Sequence, residues 1–133
     1  MKAITSNITR TLEPGTRLVC ADNSGAKELK IIGVKARRSV NAQRNKCGVS
    51  DKVKVRVTRG DQETKGEVFD AVIIRQTKEF QRAKGTRIRF EDNAAVLVER
   101  DSDIPKANRI KGVVAKEVVE RYSPIGKIAS MVV

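Results

Sequence analysis

Val53-Lys54-Val55-Arg56-Val57 alternates apolar and basic residues without a break. A period of two marks a strand with one face buried and the other in solvent. Here the solvent face is cationic. The neighbouring runs extend this pattern into a sheet. Leu18–Ala21, Leu29–Val34 and Ala95–Val98 read as strands, and Val68–Arg75 reads as one with a fully buried centre at Val72-Ile73-Ile74. Thr86–Phe90 alternates again, with Ile88 and Phe90 on one face and Arg87 and Arg89 on the other. Asp22-Asn23-Ser24-Gly25, Arg59-Gly60-Asp61, Ala83-Lys84-Gly85 and Glu91-Asp92-Asn93 supply the turns between them. Five or six short strands at this spacing predict a small antiparallel barrel or sandwich, and a barrel has the merit of leaving no free sheet edge.

The period changes in the last third. From Lys111, the residues Val114, Val118 and Tyr122 recur at helical spacing, with Lys116, Glu117, Glu120 and Arg121 opposite. This predicts an amphipathic helix packed on the barrel, with Glu117 and Arg121 as an i,i+4 pair and Ser123-Pro124 as its stop.

Charge is the second strong signal. The 133 residues carry 28 Lys and Arg against 16 Asp and Glu, a net +12. Residues 27–59 hold eleven bases and two acids, and residues 75–89 hold six bases and one acid, so the excess lies entirely in these two windows. Concentrated positive charge points to a polyanion, most often nucleic acid. Residues 35–46 contain Lys35, Arg37, Arg38, Arg44 and Lys46, no acid and few apolar residues. They cannot form core and read as a projecting loop or ribbon between two strands. Arginine suits such an element because its planar fork binds phosphate bidentately. Residues 78–85 form a second basic loop, in which Phe80 is expected to pack rather than stack on a base.

Composition excludes much else. There is no His, so no Ser-His-Asp or Cys-His arrangement and no His-ligated metal can form. Cys20 and Cys47 are expected to be reduced packing residues. No Walker A loop, no GxGxxG and no paired-carboxylate pattern occurs, so an active site finds no support and no cofactor is expected. The first fifteen residues lack an apolar signal core, and the longest apolar run, Ala94–Val98, is far too short for a membrane span.

One segment is more specific. Cys20-Ala21-Asp22-Asn23-Ser24-Gly25-Ala26-Lys27 resembles the signature of the large-subunit ribosomal protein family numbered fourteen in the universal naming. Ala71–Arg75, Gly85–Val98 and Gly112–Glu117 match the same family in order, so the resemblance spans about residues 16–131. The family often has Gly-Asp where this chain has Ser50-Asp51, and Gly-Pro where it has Gly112-Val113. The longer N-terminal segment and the Glu91-Asp92-Asn93 and Ala115-Lys116-Glu117 wording look more like the archaeal and eukaryotic branch than the bacterial one, and the ending Ile128–Val133 favours archaeal.

The resemblance implies a mainly β fold: a five-stranded antiparallel barrel with a projecting β-ribbon and short C-terminal α-helices. It implies binding to large-subunit ribosomal RNA and a cytoplasmic, ribosomal location. It also implies contact with neighbouring large-subunit proteins and with small-subunit RNA across the interface, and docking of an anti-association initiation factor. A single domain over residues 1–133 is expected, with the barrel at about 16–100 and a helical segment at about 105–133.

On this reading Lys35, Arg37, Arg38, Arg44 and Lys46 grip phosphates from the ribbon. Arg75, Lys78, Arg82 and Lys84 do so from the second loop, and Lys54 and Arg56 line the face between them. Glu117, Glu120 and Arg121 are the expected protein-contact residues. The alternatives are a basic protein-interaction module and a DNA-architectural protein. Neither a membrane nor a small-molecule substrate is expected.

Overall fold

The computed structural model describes residues 4–35 and 45–133. In chain order its elements are β1 (Arg17–Cys20), β2 (Ala26–Val34), β3 (Lys52–Gly60), β4 (Val68–Arg75), β5 (Phe80–Gln81), β6 (Arg87–Ile88), β7 (Ala94–Val98), β8 (Val113–Val114), α1 (Lys116–Arg121), α2 (Ser123–Ile128) and β9 (Met131–Val132). Strands β1-β2-β3-β4-β7 close into a barrel. Four of its seams are antiparallel. The closing seam, Val19 opposite Ala94 and Cys20 opposite Ala95, runs parallel.

The alternation in β3 behaves as read: Val53, Val55 and Val57 are buried and Arg56 is exposed. Strand β2 curls around the barrel through register shifts near Glu28 and between Ile31 and Gly33, the irregularities by which a long strand follows a tightly curved sheet.

The continuous apolar run in β4 has a two-sided explanation. Ala71 and Ile73 join the barrel interior with Leu18, Leu29, Ile31, Val55 and Leu97. Val72 and Ile74 face the other way, into a second cluster with Phe80, Val96, Ile110, Val114, Val118, Tyr122 and Ile125. The C-terminal segment therefore roofs the outside of β4 and β7, and a strand buried on both faces loses its alternation. Cys20 and Cys47 are both buried and neither is in a disulfide. Burial, with the Asp22 carboxylate beside it, pushes the Cys20 thiol up to about 12, which leaves it protonated and inert at neutral pH.

The signature around Asp22 is architectural. Asp22 is buried, and its Oδ1 accepts from the Ser24 hydroxyl at 2.5 Å and the Cys20 thiol at 3.1 Å, while Oδ2 accepts from the Leu97 N–H at 2.9 Å. One carboxylate thus pins the β1–β2 turn to β7. Gly25 completes that turn at φ +99°, with the Asp61 carboxylate where a side chain would begin.

The C-terminal third departs from the predicted continuous helix. Val113 and Val114 are strand, paired in parallel with Met131 and Val132. Gly112 sits at φ +78° against the Arg75 guanidinium, a conformation that does not lead into a helix there. Helix α1 spans only Lys116–Arg121, and Tyr122 (φ −126°, ψ 86°) breaks it. Ser123-Pro124 opens α2 rather than simply stopping α1, with Pro in the first turn, where its missing N–H costs nothing. The buried face was nonetheless correctly read, since Val114, Val118 and Tyr122 share one cluster. Thr86–Phe90 is also less regular than expected: only Arg87–Ile88 is strand, paired with Phe80–Gln81 in a small hairpin.

Candidate nucleic-acid interface

The outward face of β1, β2 and β3 holds a row of three cations that the ladder itself aligns. Arg17 stands opposite Lys30, and Lys30 stands opposite Arg56. All three are exposed. Adjacent strands lie about 4.8 Å apart, so the row spans roughly 10 Å, a distance on which successive backbone phosphates can be met. Glu28, the nearest acid, is held below the usual carboxylate range by the Thr58 hydroxyl (3.0 Å) and by Arg17 (3.0 Å). It remains ionised, and it steadies Arg17 at one end of the row.

Of the residues expected on the β3 face, Arg56 is exposed and Lys54 half-buried, opposite Asp70 in the β3–β4 register. Lys78 and Lys84 are exposed on the hairpin arm. Lys46 is exposed, 4.0 Å from Glu13. The rest of the expected ribbon, including Arg37, Arg38 and Arg44, lies outside the described residues.

Lys35, at the root of that segment, is not a free phosphate grip. Its ammonium lies 2.5 Å from Asp70 Oδ2 and 3.2 Å from Asp101 Oδ1. The Asp70 bond raises the Lys35 pKa above that of a free lysine. Burial alone would raise the Asp70 carboxyl, but Lys35 and the Asp101 N–H outweigh it and hold it below the ordinary aspartate range. Lys52, which the sequence did not single out, is drawn to the same acidic turn through Ser102 O (2.7 Å) and Asp103 (3.1 Å).

Two residues expected in the second loop turn inward. Arg75 is 8% exposed. Its Nη1 donates to the carbonyls of Lys111 (3.1 Å) and Val113 (3.0 Å), and its Nε lies 2.9 Å from Asp92 as an ion pair. It ends a strand buried on both faces, so its charge is satisfied inward. Arg82 donates from Nε to Glu117 Oε1 at 2.9 Å and from Nη2 to the Val133 main-chain oxygen at 2.7 Å. Lys78 and Lys84 are thus the exposed cations among these four, while Arg75 and Arg82 are engaged within the fold.

Of the three expected protein-contact residues, two also have partners within the fold. Glu117 is wholly buried, and takes the Ser6 hydroxyl (2.9 Å) as well as Arg82. Arg121 turns inward, 3.8 Å from Asp51 and 3.4 Å from Ser50 O. The expected Glu117–Arg121 pair gives way to Glu117–Arg82 and Arg121–Asp51, because each partner lies in the roofing contact rather than on the helix surface. Glu120 stays exposed, with Lys116 and Lys127 nearby in sequence.

The sequence reading missed Arg17 and Lys30 as site residues. Their signal was present in Arg17-Leu18 and Leu29-Lys30-Ile31, the same basic–apolar alternation as in β3, but the ladder register was needed to align them. Among the described residues, no group of three or more His, Cys, Asp or Glu side chains could hold a metal ion.

Residues 11–133 match the family model described as ribosomal protein L14p/L23e. The chain is 44% identical over 133 residues to the large ribosomal subunit protein uL14 of Halorubrum lacusprofundi, covering all of both chains. It is 47% identical over 132 residues to the protein of that name from Methanococcus maripaludis, covering 99% of each. These relatives are archaeal, in line with the branch that the sequence wording suggested.

Proposed function

The chain belongs to the ribosomal protein L14p/L23e family, and on that premise we propose that its exposed cationic face binds large-subunit ribosomal RNA at the subunit interface. It is a structural constituent of the large subunit of the cytoplasmic ribosome, not an enzyme. The observation that carries the RNA reading is the register-aligned row Arg17–Lys30–Arg56. The sheet fixes the spacing of their backbones, so what binding must still order is their side chains, at about 0.5–1.5 kcal/mol each. Their role is to neutralise phosphate charge and fix RNA geometry.

Lys46, Lys54, Lys78 and Lys84 extend the cationic surface on either side, and Arg37, Arg38 and Arg44 add their charge to it. The surface around Glu120 serves neighbouring proteins. Small-subunit RNA and an anti-association factor meet the exposed interface face.

Gradient sedimentation of tagged protein with ribosomal subunits tests this. Co-migration with the large subunit, and excess absorbance at 260 nm in the purified protein, are expected. Free protein at the top of the gradient, or equal affinity for duplex DNA and structured RNA, would contradict it.

A further inference from the structure

A second feature lies where β4 begins and β7 ends, apart from the cationic row. Phe69 stands opposite Val55 and packs against the barrel cluster, yet it is only half-buried. The Lys106 ammonium rests 3.8 Å from the centroid of its ring. Lys54, Asp70, Glu99 and Arg100 line the same cavity. With Lys106, three of these five side chains are cationic. Of the two acids, Asp70 is already engaged by Lys35 and the Asp101 N–H. The cavity is therefore a net positive space around an aromatic face.

We propose that this cavity takes one unstacked nucleotide of the bound RNA, its base on Phe69 in place of the Lys106 ammonium and its phosphate among Lys54, Arg100 and Lys106. The inference rests on the RNA-binding reading above. The exchange is favourable because a base stacked on an aromatic ring is held more strongly than an exposed cation over it. The displaced ammonium then keeps its charge for the phosphate.

Little else must move. The Lys106 main chain is anchored by its N–H to Leu97 O at 3.0 Å, so only its exposed side chain swings. Arg100 is 85% exposed and only loosely paired, 4.0 Å from Asp101. The cavity contacts a base through its π-face, so it favours purines by stacking strength rather than by sequence.

The test titrates the full-length protein with adenosine 5′-monophosphate while backbone amides are followed by NMR. Shifts at residues 69, 99, 100 and 106 are expected. Phe69→Leu, which keeps apolar volume and removes the ring, should weaken binding about fivefold or more, the effect of losing one stacked base. Ribose 5-phosphate should be weaker than the nucleotide by a similar factor. Lys106→Gln, a surface change that spares the fold, should weaken binding through the phosphate. Silent amides, equal binding of the two ligands, or equal binding by Phe69→Leu would overturn the site.

A second arm uses an RNA hairpin with one bulged 2-aminopurine. Its fluorescence should change on binding to the native protein and not to Phe69→Leu. A hairpin that binds with unmoved fluorescence overturns this inference alone. A hairpin that fails to bind overturns the RNA reading. Nucleotide binding without hairpin binding would assign the cavity to a free nucleotide instead.

Discussion

Arg82 and Glu117, thirty-five residues apart, form a buried bidentate pair: Nε to Oε1 at 2.9 Å and Nη2 to Oε2 at 3.3 Å. Glu117 is 0% exposed and Arg82 14% at the side chain. The pair binds the β5–β6 hairpin to α1, and Ser6 joins the N-terminal segment to the same carboxylate. Removing one partner of such a pair strands the other charge. Arg82→Met should therefore destabilise the protein by about 3–5 kcal/mol, measured by urea denaturation. The double variant Arg82→Met, Glu117→Leu should recover much of that loss. A cost below about 1 kcal/mol for Arg82→Met would show that the pair does not hold the roof in place.

Ser50 adopts φ +68° with its hydroxyl buried and unpartnered among the described residues. This accounts in physical terms for the glycine that the family often has where this chain has Ser50: the position needs a left-handed backbone, which glycine enters without a Cβ penalty. Ser50→Gly should stabilise the fold by about 1 kcal/mol, because relief of the strain and of the orphaned hydroxyl outweighs the entropy glycine loses. A raised urea midpoint at unchanged slope is the expected result, and a lowered midpoint would count against it.

The Lys35–Asp70 pair sets a sign for the pH dependence. The Asp70 pKa is depressed in the folded state, so its contribution is present above the unfolded aspartate value and is lost as pH falls through the folded one. The Lys35 pKa is raised, so its contribution is present below the unfolded lysine value and is lost as pH rises through the folded one. Asp70→Asn should cost about 1–3 kcal/mol at neutral pH, with less difference from the native protein in acid. A gap that widened in acid would reverse the assignment.

Tyr122 is the only tyrosine, and burial pushes its hydroxyl up to about 12. Absorbance at 295 nm should show no tyrosinate in the folded protein until near that pH, against about 10 in denaturant. The folded state holds the protonated form more tightly, so this contribution is complete below the unfolded value and vanishes as pH climbs through the folded one. A native midpoint near 10 would mean that the roof over β4 and β7 is open.

The strands were legible wherever one face met water, as in Val53–Val57, because alternation survives there. Val72-Ile73-Ile74 was legible as buried, although not what buried it. Helical spacing found the right face at Val114, Val118 and Tyr122 but the wrong conformation for Val114, since the backbone of Gly112 and its contact with Arg75 are tertiary facts. Exposed cations and cations turned inward look alike in sequence. Arg56 and Arg75 each follow a hydrophobic residue in a strand, and what separates them is the roof beside Arg75, which supplies Asp92 and the Lys111 and Val113 carbonyls. The row Arg17–Lys30–Arg56 was invisible because register is a relation between strands rather than a property of any one of them.

On the proposed function, the row Arg17–Lys30–Arg56 meets RNA phosphates. The direct measurement is the salt dependence of binding to a large-subunit ribosomal RNA fragment, native protein against Arg17→Gln, Lys30→Gln, Arg56→Gln combined. Each lost duplex-phosphate contact lowers the slope of log K against log salt by about 0.9, so the triple variant should bind more weakly, with a slope reduced by roughly 2–3. Unchanged affinity and slope would contradict the account.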